Sequence, residues 1–159
     1  MCIRDRTPAQ LPSALSTLYT DFGTVSAEDF ALLSYAGSHL PPGARVLVAP
    51  GSAGEFLPAY DPTAVLLYPM LPGWTRVNAS YTLLVSELTN GTLEHPEGFS
   101  ALRFLDVQFV IVTAANSILW PAFSYEPFLN DPYQFPVLYE NGTALLIAVA
   151  PPPPLYPFG

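Results

Sequence analysis

Apolar positions along this chain change period several times, and each change marks an element. Arg45-Val46-Leu47-Val48-Ala49, apolar throughout after its arginine, reads as a short buried strand. It passes at once into the glycine-punctuated turn Pro50-Gly51-Ser52-Ala53-Gly54-Glu55-Phe56. Ahead of it, Val25-Ser26-Ala27-Glu28-Asp29-Phe30 predicts a helix start: Ser26 caps free amides, acids fill the first turn, and Val25 and Phe30 have the spacing of a hydrophobic staple. Phe30, Leu33, Gly37 and Leu40 share one helical face, and Pro41-Pro42-Gly43 ends the helix. Beyond the turn, Glu55 to Tyr60 allows a turn of helix broken by Pro58, and Ala64-Val65-Leu66-Leu67-Tyr68 reads as a neighbouring strand.

The second half repeats the alternation. Tyr81, Leu84, Val85 and Leu88 form a helical stripe over residues 78–89, with Asn90-Gly91 as a left-handed stop. Pro96 to Leu105 predicts another helix, with Phe99, Leu102 and Leu105 inward. It leads into Val107-Gln108-Phe109-Val110-Ile111-Val112-Thr113, the strongest strand pattern in the chain. Residues 107–123 are mostly apolar, but Gln108, Asn116 and Pro121 interrupt them, and a membrane-spanning helix needs about 20 apolar residues. Finally Pro136-Val137-Leu138-Tyr139, then Glu140-Asn141-Gly142, then residues 143–149, predict a hairpin, because Asn-Gly sits between two apolar runs.

Helices alternating with strands predict an α/β fold, three-layered and Rossmann-like, with a short, mostly parallel sheet. In that layout Arg45–Ala49 lies between Ala64–Tyr68 and Val107–Thr113, and the hairpin extends one edge in antiparallel fashion. Right-handed crossovers put helices on both faces. One domain is expected over residues 24–150, with residues 7–23 as a lead-in and 151–159 as a proline-rich exit.

Composition narrows the partners. Met1-Cys2-Ile3-Arg4-Asp5-Arg6 resembles a translated sequencing adapter, so these six residues are expected to be non-native and the natural chain to extend N-terminally of Thr7. Beyond them there is no cysteine, which excludes disulfides and thiol catalysis. The only basic residues left are Arg45, Arg76 and Arg103, in a chain of net charge −8. A nucleic-acid partner needs clustered cations and is excluded, as is docking on an anionic lipid surface. Two histidines without cysteine make no transition-metal site, so no metal is expected.

Candidate chemistry gathers at the turn. In an open α/β sheet ligands sit at strand ends, which makes Gly51, Ser52, Gly54 and Glu55 the candidate ligand-binding residues. Pro50-Gly51-Ser52-Ala53-Gly54 is similar to the nucleophile elbow G-x-S-x-G of serine hydrolases, though Pro50 replaces its first glycine. The acid and base of such a triad are then Asp61 or Glu87, and His95. The same glycines lack the third glycine of a dinucleotide fingerprint and the lysine of a P-loop, so no cofactor is implied. A tight turn where backbone passes close to its neighbours explains them equally. Asn78, Asn90 and Asn141 each open an N-x-[ST] triplet, which points to an extracytoplasmic face; each also stands where asparagine favours a cap, stop or turn.

Three segments together carry a family resemblance. They are Thr24-Val25-Ser26-Ala27-Glu28-Asp29-Phe30-Ala31-Leu32-Leu33 followed by Leu40-Pro41-Pro42-Gly43-Ala44-Arg45-Val46-Leu47-Val48; Leu102-Arg103-Phe104-Leu105-Asp106-Val107-Gln108-Phe109-Val110-Ile111-Val112; and Val137-Leu138-Tyr139-Glu140-Asn141-Gly142-Thr143-Ala144-Leu145-Leu146-Ile147. Their pattern resembles the soluble C-terminal domain of multi-pass membrane glycosyltransferases of the dolichyl-phosphate-mannose and aminoarabinose transferase type. The resemblance implies a non-catalytic extracytoplasmic domain that covers an active-site mouth or helps bind the acceptor. Its partners would be an upstream transmembrane region of the same polypeptide and a glycan or lipid-linked sugar. Catalytic acids of that family lie N-terminal to such domains, so no catalytic residue carries over. A free-standing binding module with its ligand over Gly51–Glu55, and a small hydrolase using Ser52, are the alternatives.

Overall fold

The computed structural model describes residues 25–49, 52–67, 84, 86–88, 90, 96–113 and 125–151. Its elements follow the order α1 (Ala27–His39), β1 (Arg45–Val48), a 3-10 helix (Ala53–Ala59), β2 (Val65–Leu67), α2 (Pro96–Phe104), β3 (Phe109–Val112), α3 (Glu126–Asn130), β4 (Val137–Asn141) and β5 (Ala144–Ala148). Residues 84, 86–88 and 90 are also helical. The strands form one mixed sheet in the order β2-β1-β3-β5-β4. β1 pairs in parallel with β2 (Val46 opposite Leu66) and with β3 (Leu47 opposite Val110), while β3–β5 and β5–β4 are antiparallel. The fold is α/β.

Local chemistry accounts for α1. Ser26 Oγ accepts from the Asp29 amide at 3.1 Å, and Asp29 Oδ2 accepts from the Ser26 amide at 2.8 Å, a reciprocal capping box. Val25 and Phe30 pack together with Ala53, so the staple fixes the helix start against the 3-10 helix. The buried stripe is wider than Phe30, Leu33, Gly37 and Leu40: Leu32 and Ala36 are fully buried, whereas Gly37 and Leu40 are partly exposed. Gly37 is where α1 meets the end of the 3-10 helix, since a Cβ there would stand 2.7 Å from Tyr60 Cβ.

Alternation along the strands divides the core in two. Val46 and Val48 of β1, Ile111 of β3 and Leu146 of β5 pack with Leu32, Leu33 and Ala36 of α1 and with Leu57 of the 3-10 helix. Leu47, Val110, Val112, Leu145 and Ile147 pack instead with Leu84, Leu88, Leu102, Phe128 and Phe135. A strand residue points opposite to its neighbour, so one apolar run feeds both clusters. Each fully buried leucine contributes about 1.5–3 kcal/mol relative to exposure; Leu32, Leu33, Leu47, Leu57, Leu84, Leu88, Leu102 and Leu146 are all in that state.

Several expectations need correction. The strands are shorter than the apolar runs: β2 spans Val65–Leu67 and β3 begins at Phe109, because Asp106 in the left-handed region (φ 53°) closes α2 first. Val107 N donates to Leu102 O and Asp106 N to Arg103 O, the paired bonds of a Schellman stop. Pro58 lies inside the 3-10 helix rather than breaking it, since its fixed φ suits that helix and only one bond is forgone. The hairpin turn falls one residue later than Asn-Gly implies. Asn141 pairs with Ala144, leaving Gly142-Thr143 as the loop, with positive φ at Gly142 (60°) and not at Thr143. That requirement belongs to a II′-type turn, which needs glycine at its first central position. Asn90 is itself helical, and Gly91, the other half of the expected stop, lies outside the described residues. The short helix α3 was not anticipated, although Pro127 in its first turn is a start signal.

The expected lead-in over 7–23 and most of the proline-rich exit lie outside the described residues, as do Asn78 and His95. Among the described residues, no helix is long and apolar enough to cross a membrane.

Candidate functional site

The strand order places β1 between a neighbour that follows it on one side, β2, and another on the other side, β3. Chain leaving β1 turns toward β2, whereas chain leaving β3 continues to the β4–β5 side. The carboxyl ends of β1 and β3 therefore flank the point where the winding direction reverses, the location where open α/β sheets leave a crevice.

At that edge β1 ends in a hydrogen-bonded turn. Ser52 N donates to Ala49 O and Glu55 N to Ser52 O, both at 3.2 Å, and the 3-10 helix starts at once. Gly54 lies directly on the strands: a Cβ there would approach Val48 Cγ1 to 2.7 Å and Ile111 Cγ2 to 3.2 Å. Glycine is needed because backbone packs against β1 and β3, which is the close-approach explanation of the glycine-rich turn. Glu55 is exposed in the first turn of the 3-10 helix. Gly51 lies outside the described residues.

Ser52 is buried, 3% exposed, and its Oγ has neither a capping bond nor any other partner. Thr113, just past the end of β3, is also 3% exposed with its Oγ1 unpartnered. Thr113 follows Ile111 by two positions, so it continues the strand face that Gly54 covers. Two residues separate Ser52 from Gly54 along the turn. Leaving a buried hydroxyl unpaired costs about 1–3 kcal/mol, and both of these lie at the same sheet edge. On the opposite face Tyr125 precedes α3 with its oxygen buried beside the Ala49 backbone. Burial pushes this phenol far above its ordinary range, so it is a neutral hydroxyl at any physiological pH.

The hydrolase reading finds no support in this geometry. A nucleophile elbow holds its serine exposed on a strained turn, whereas Ser52 is buried with extended backbone (φ −92°, ψ 163°). Asp61 serves a turn instead: its Oδ1 accepts from Thr63 N at 2.9 Å and from Thr63 Oγ1 at 2.6 Å. Thr63 Oγ1 in turn accepts from Gly43 N at 3.0 Å, tying the loops before β1 and β2 together at the other edge of the sheet. Glu87 lies in the helical stretch on the face opposite α1. His95, the expected base, lies outside the described residues.

The amino edge of the sheet carries the described arginines. Arg45 Nε donates to Leu105 O at 2.9 Å, and its backbone N donates to Gln108 Oε1 at 3.1 Å. Gln108 N returns a bond to Arg45 O. Beside these an open groove of about 490 Å³ is lined by Arg103, Asp106, Val107, Gln108 and Val149–Pro151. Arg45 thus ties β1 to the α2–β3 loop. Among the described residues, no three His, Cys, Asp or Glu side chains stand together as a metal site.

Two candidate glycosylation asparagines are accessible: Asn90 on its helical stretch and Asn141 at the tip of the β4–β5 hairpin are both exposed. Of the candidate ligand residues, the structure places Ser52 and Gly54 at the β1–β3 edge, one as a buried hydroxyl and the other as a packing glycine. Thr113 and Tyr125 were missed. The signal for Thr113 was a polar residue ending an apolar strand run, at the same edge as the turn after β1.

No family model, curated protein or solved structure matches this chain.

Proposed function

We propose that this chain is a non-catalytic domain on the extracytoplasmic face of a membrane glycosyltransferase-like protein, joined to a membrane-spanning region upstream of Thr7. There it would cover the mouth of the active site or assist acceptor binding, with a glycan or lipid-linked sugar as the bound partner. The observation that carries this reading is the adjacency of the three segments on which the resemblance rests. The capped helix and its strand, the helix-to-strand segment ending in β3, and the closing hairpin form contiguous members of one sheet. The two core clusters on alternate strand residues support the finer expectation of a three-layer, Rossmann-like arrangement. Exposure of Asn90 and Asn141 is compatible with a surface outside the cytoplasm.

Topology tests it. Tyr133 is 93% exposed, and beyond Arg6 the chain has no cysteine, so Tyr133→Cys in the full upstream reading frame, with any upstream cysteine replaced by serine, gives a single reporter. Labelling of intact cells by a membrane-impermeant maleimide is the expected result. Labelling only after permeabilisation, or an upstream frame without apolar spans, overturns the reading.

A second reading, a free-standing binding module with its ligand over Ser52–Glu55, is favoured by the buried, unpartnered Ser52 hydroxyl. Neither reading gives Ser52 a catalytic role, and no labelling by a fluorophosphonate probe is expected.

A further inference from the structure

We infer that the open groove at the amino edge of the sheet, between the end of α2 and the end of β5, binds a small zwitterion. The ligand is an α-amino acid with an apolar side chain: its carboxylate meets Arg103, its ammonium meets Asp106, and its side chain lies along Val107 and Val149. The inference stands apart from the topology reading and from the turn after β1, since it uses the other edge of the sheet.

Unused polar groups converge on this groove. It holds about 490 Å³ and is lined by Arg103, Asp106, Val107, Gln108 and Val149–Pro151, a size that suits a small-molecule site. Arg103 and Asp106 are both exposed. They carry opposite charges close together in the chain, yet neither side chain makes an ion pair or hydrogen bond among the described residues. Gln108 adds a third group. Its Oε1 accepts from the Arg45 amide at 3.1 Å, which fixes the orientation of the side-chain amide and leaves its NH2 group as a donor. Val107 is 5% exposed and Val149 packs on the same core cluster, so the polar groups stand beside an apolar wall.

The walls are set before any ligand arrives. Val107 N donates to Leu102 O, Gln108 N to Arg45 O, Val149 N to Gln108 O and Ala150 N to Gln134 O, while Gln134 Nε2 donates back to Ala150 O at 2.7 Å. Asp106 sits in the left-handed region (φ 53°). Aspartate enters that region through a local hydrogen bond from its side chain, and this carboxylate makes none. Glycine would serve the turn with less strain; a ligand gives the carboxylate a use.

Charge selects the ligand. A simple anion would gain Arg103 but meet Asp106 and the field of a chain of net charge −8. A simple cation would gain Asp106 and meet Arg103. A zwitterion has no net charge for that field to act on, and each of its ends finds an opposite charge in the groove. A guanidinium grips a carboxylate through paired hydrogen bonds, and Arg103 is free to do so, whereas Arg45 Nε is spent on Leu105 O.

The test is an NMR titration of the full chain, observed at the Arg103 Nε–Hε, the Gln108 side-chain amide and the valine methyls. Leucine is compared with isocaproate, which is leucine without its ammonium, and with isoamylamine, which is leucine without its carboxylate. Leucine is expected to move all three sets of signals saturably, in the millimolar range usual for a small ligand in an open site. Each analogue should bind more weakly by about tenfold. Asp106→Asn keeps a residue that tolerates positive φ; it should weaken leucine and strengthen isocaproate. Arg103→Gln should weaken leucine and strengthen isoamylamine. A purely structural role for either residue would weaken all three ligands together, and that result overturns the inference. Isocaproate or isoamylamine binding the unaltered chain as tightly as leucine overturns the zwitterion, a test that does not depend on how either variant folds. No saturable shift with leucine, or leucine affinity unchanged in both variants, overturns the site itself.

Discussion

Replacing Gly54 by alanine probes how tightly the turn after β1 sits on the sheet. The added Cβ would lie 2.7 Å from Val48 Cγ1, 3.0 Å from Val48 Cβ and 3.2 Å from Ile111 Cγ2. Carbon atoms prefer about 3.5–4.0 Å, so the 3-10 helix must lift or the strands must give. Val48 and Ile111 are fully buried and β-branched, with little rotamer freedom to yield. Overpacking of this kind costs about 1–3 kcal/mol. At about 2–4 °C per kcal/mol for a chain of this size, the melting temperature should drop by about 4–8 °C for a mid-range cost. The mechanism is separable from a general loss of turn flexibility by a double-mutant cycle. Val48→Ala alone removes two buried methyl groups and should cost about 2 kcal/mol. Combined with Gly54→Ala, it removes the clashing Cγ1 and leaves room for the new methyl, so the double variant should be more stable than the sum by about 1 kcal/mol or more. Ile111→Val is the control, because it removes only Cδ1 and keeps the contacting Cγ2; its effect should add. Urea unfolding of the four proteins measures the cycle. Additive costs for Gly54→Ala and Val48→Ala, or a neutral Gly54→Ala, would refute the close-packing explanation.

Three further predictions follow from local chemistry. Ser26→Ala removes one side of the capping box and should cost about 1 kcal/mol, read as lower stability in urea and faster amide exchange over residues 27–30; an unchanged midpoint would remove the cap from the account. Asp106→Gly relieves a non-glycine residue at φ 53° and should stabilise by about 0.5–1 kcal/mol, whereas destabilisation would show that the Asp106 carboxylate itself holds the α2–β3 turn. Tyr125 has its phenol pKa raised by burial from the ordinary 10.0. Its contribution is intact below about pH 10 and is lost as pH rises, because the unfolded phenol ionises while the folded one stays neutral. Alkaline unfolding should therefore be less steep in Tyr125→Phe, and equal steepness would contradict a buried, neutral phenol.

How far the fold could be read from the chain depended on which forces were local. The α1 cap was legible because Ser26, Asp29, Val25 and Phe30 act on one another within a few residues. The neighbours of β1 were legible too, since a run of buried valines and leucines needs partners on both sides. Less legible were features set by contact between distant segments. The width of the α1 stripe depends on what β1 and the 3-10 helix bring against Leu32 and Ala36. Phe128 and Phe135 are fully buried, yet lie in a stretch whose proline and polar punctuation hid them. The hairpin turn is displaced by one residue because the ladder pairs Asn141 with Ala144 and puts Gly142 at the position that needs positive φ. The site divided in the same way. Ser52 and Gly54 stood out as turn residues, but one is a buried hydroxyl and the other a packing glycine, a distinction that only Val48, Ile111 and Thr113 across the sheet supply.

The most direct measurement is a set of cross-strand nuclear Overhauser effects in the labelled protein, because the site, the packing and the functional reading all depend on β1 running parallel beside β3. The account predicts contacts aligning Leu47 with Val110 in parallel register, Val110 with Ile147 in antiparallel register, and the Thr113 methyl near Gly54. Alpha-proton contacts between β1 and β3 of the antiparallel kind, or a Thr113 methyl remote from the turn after β1, would contradict it.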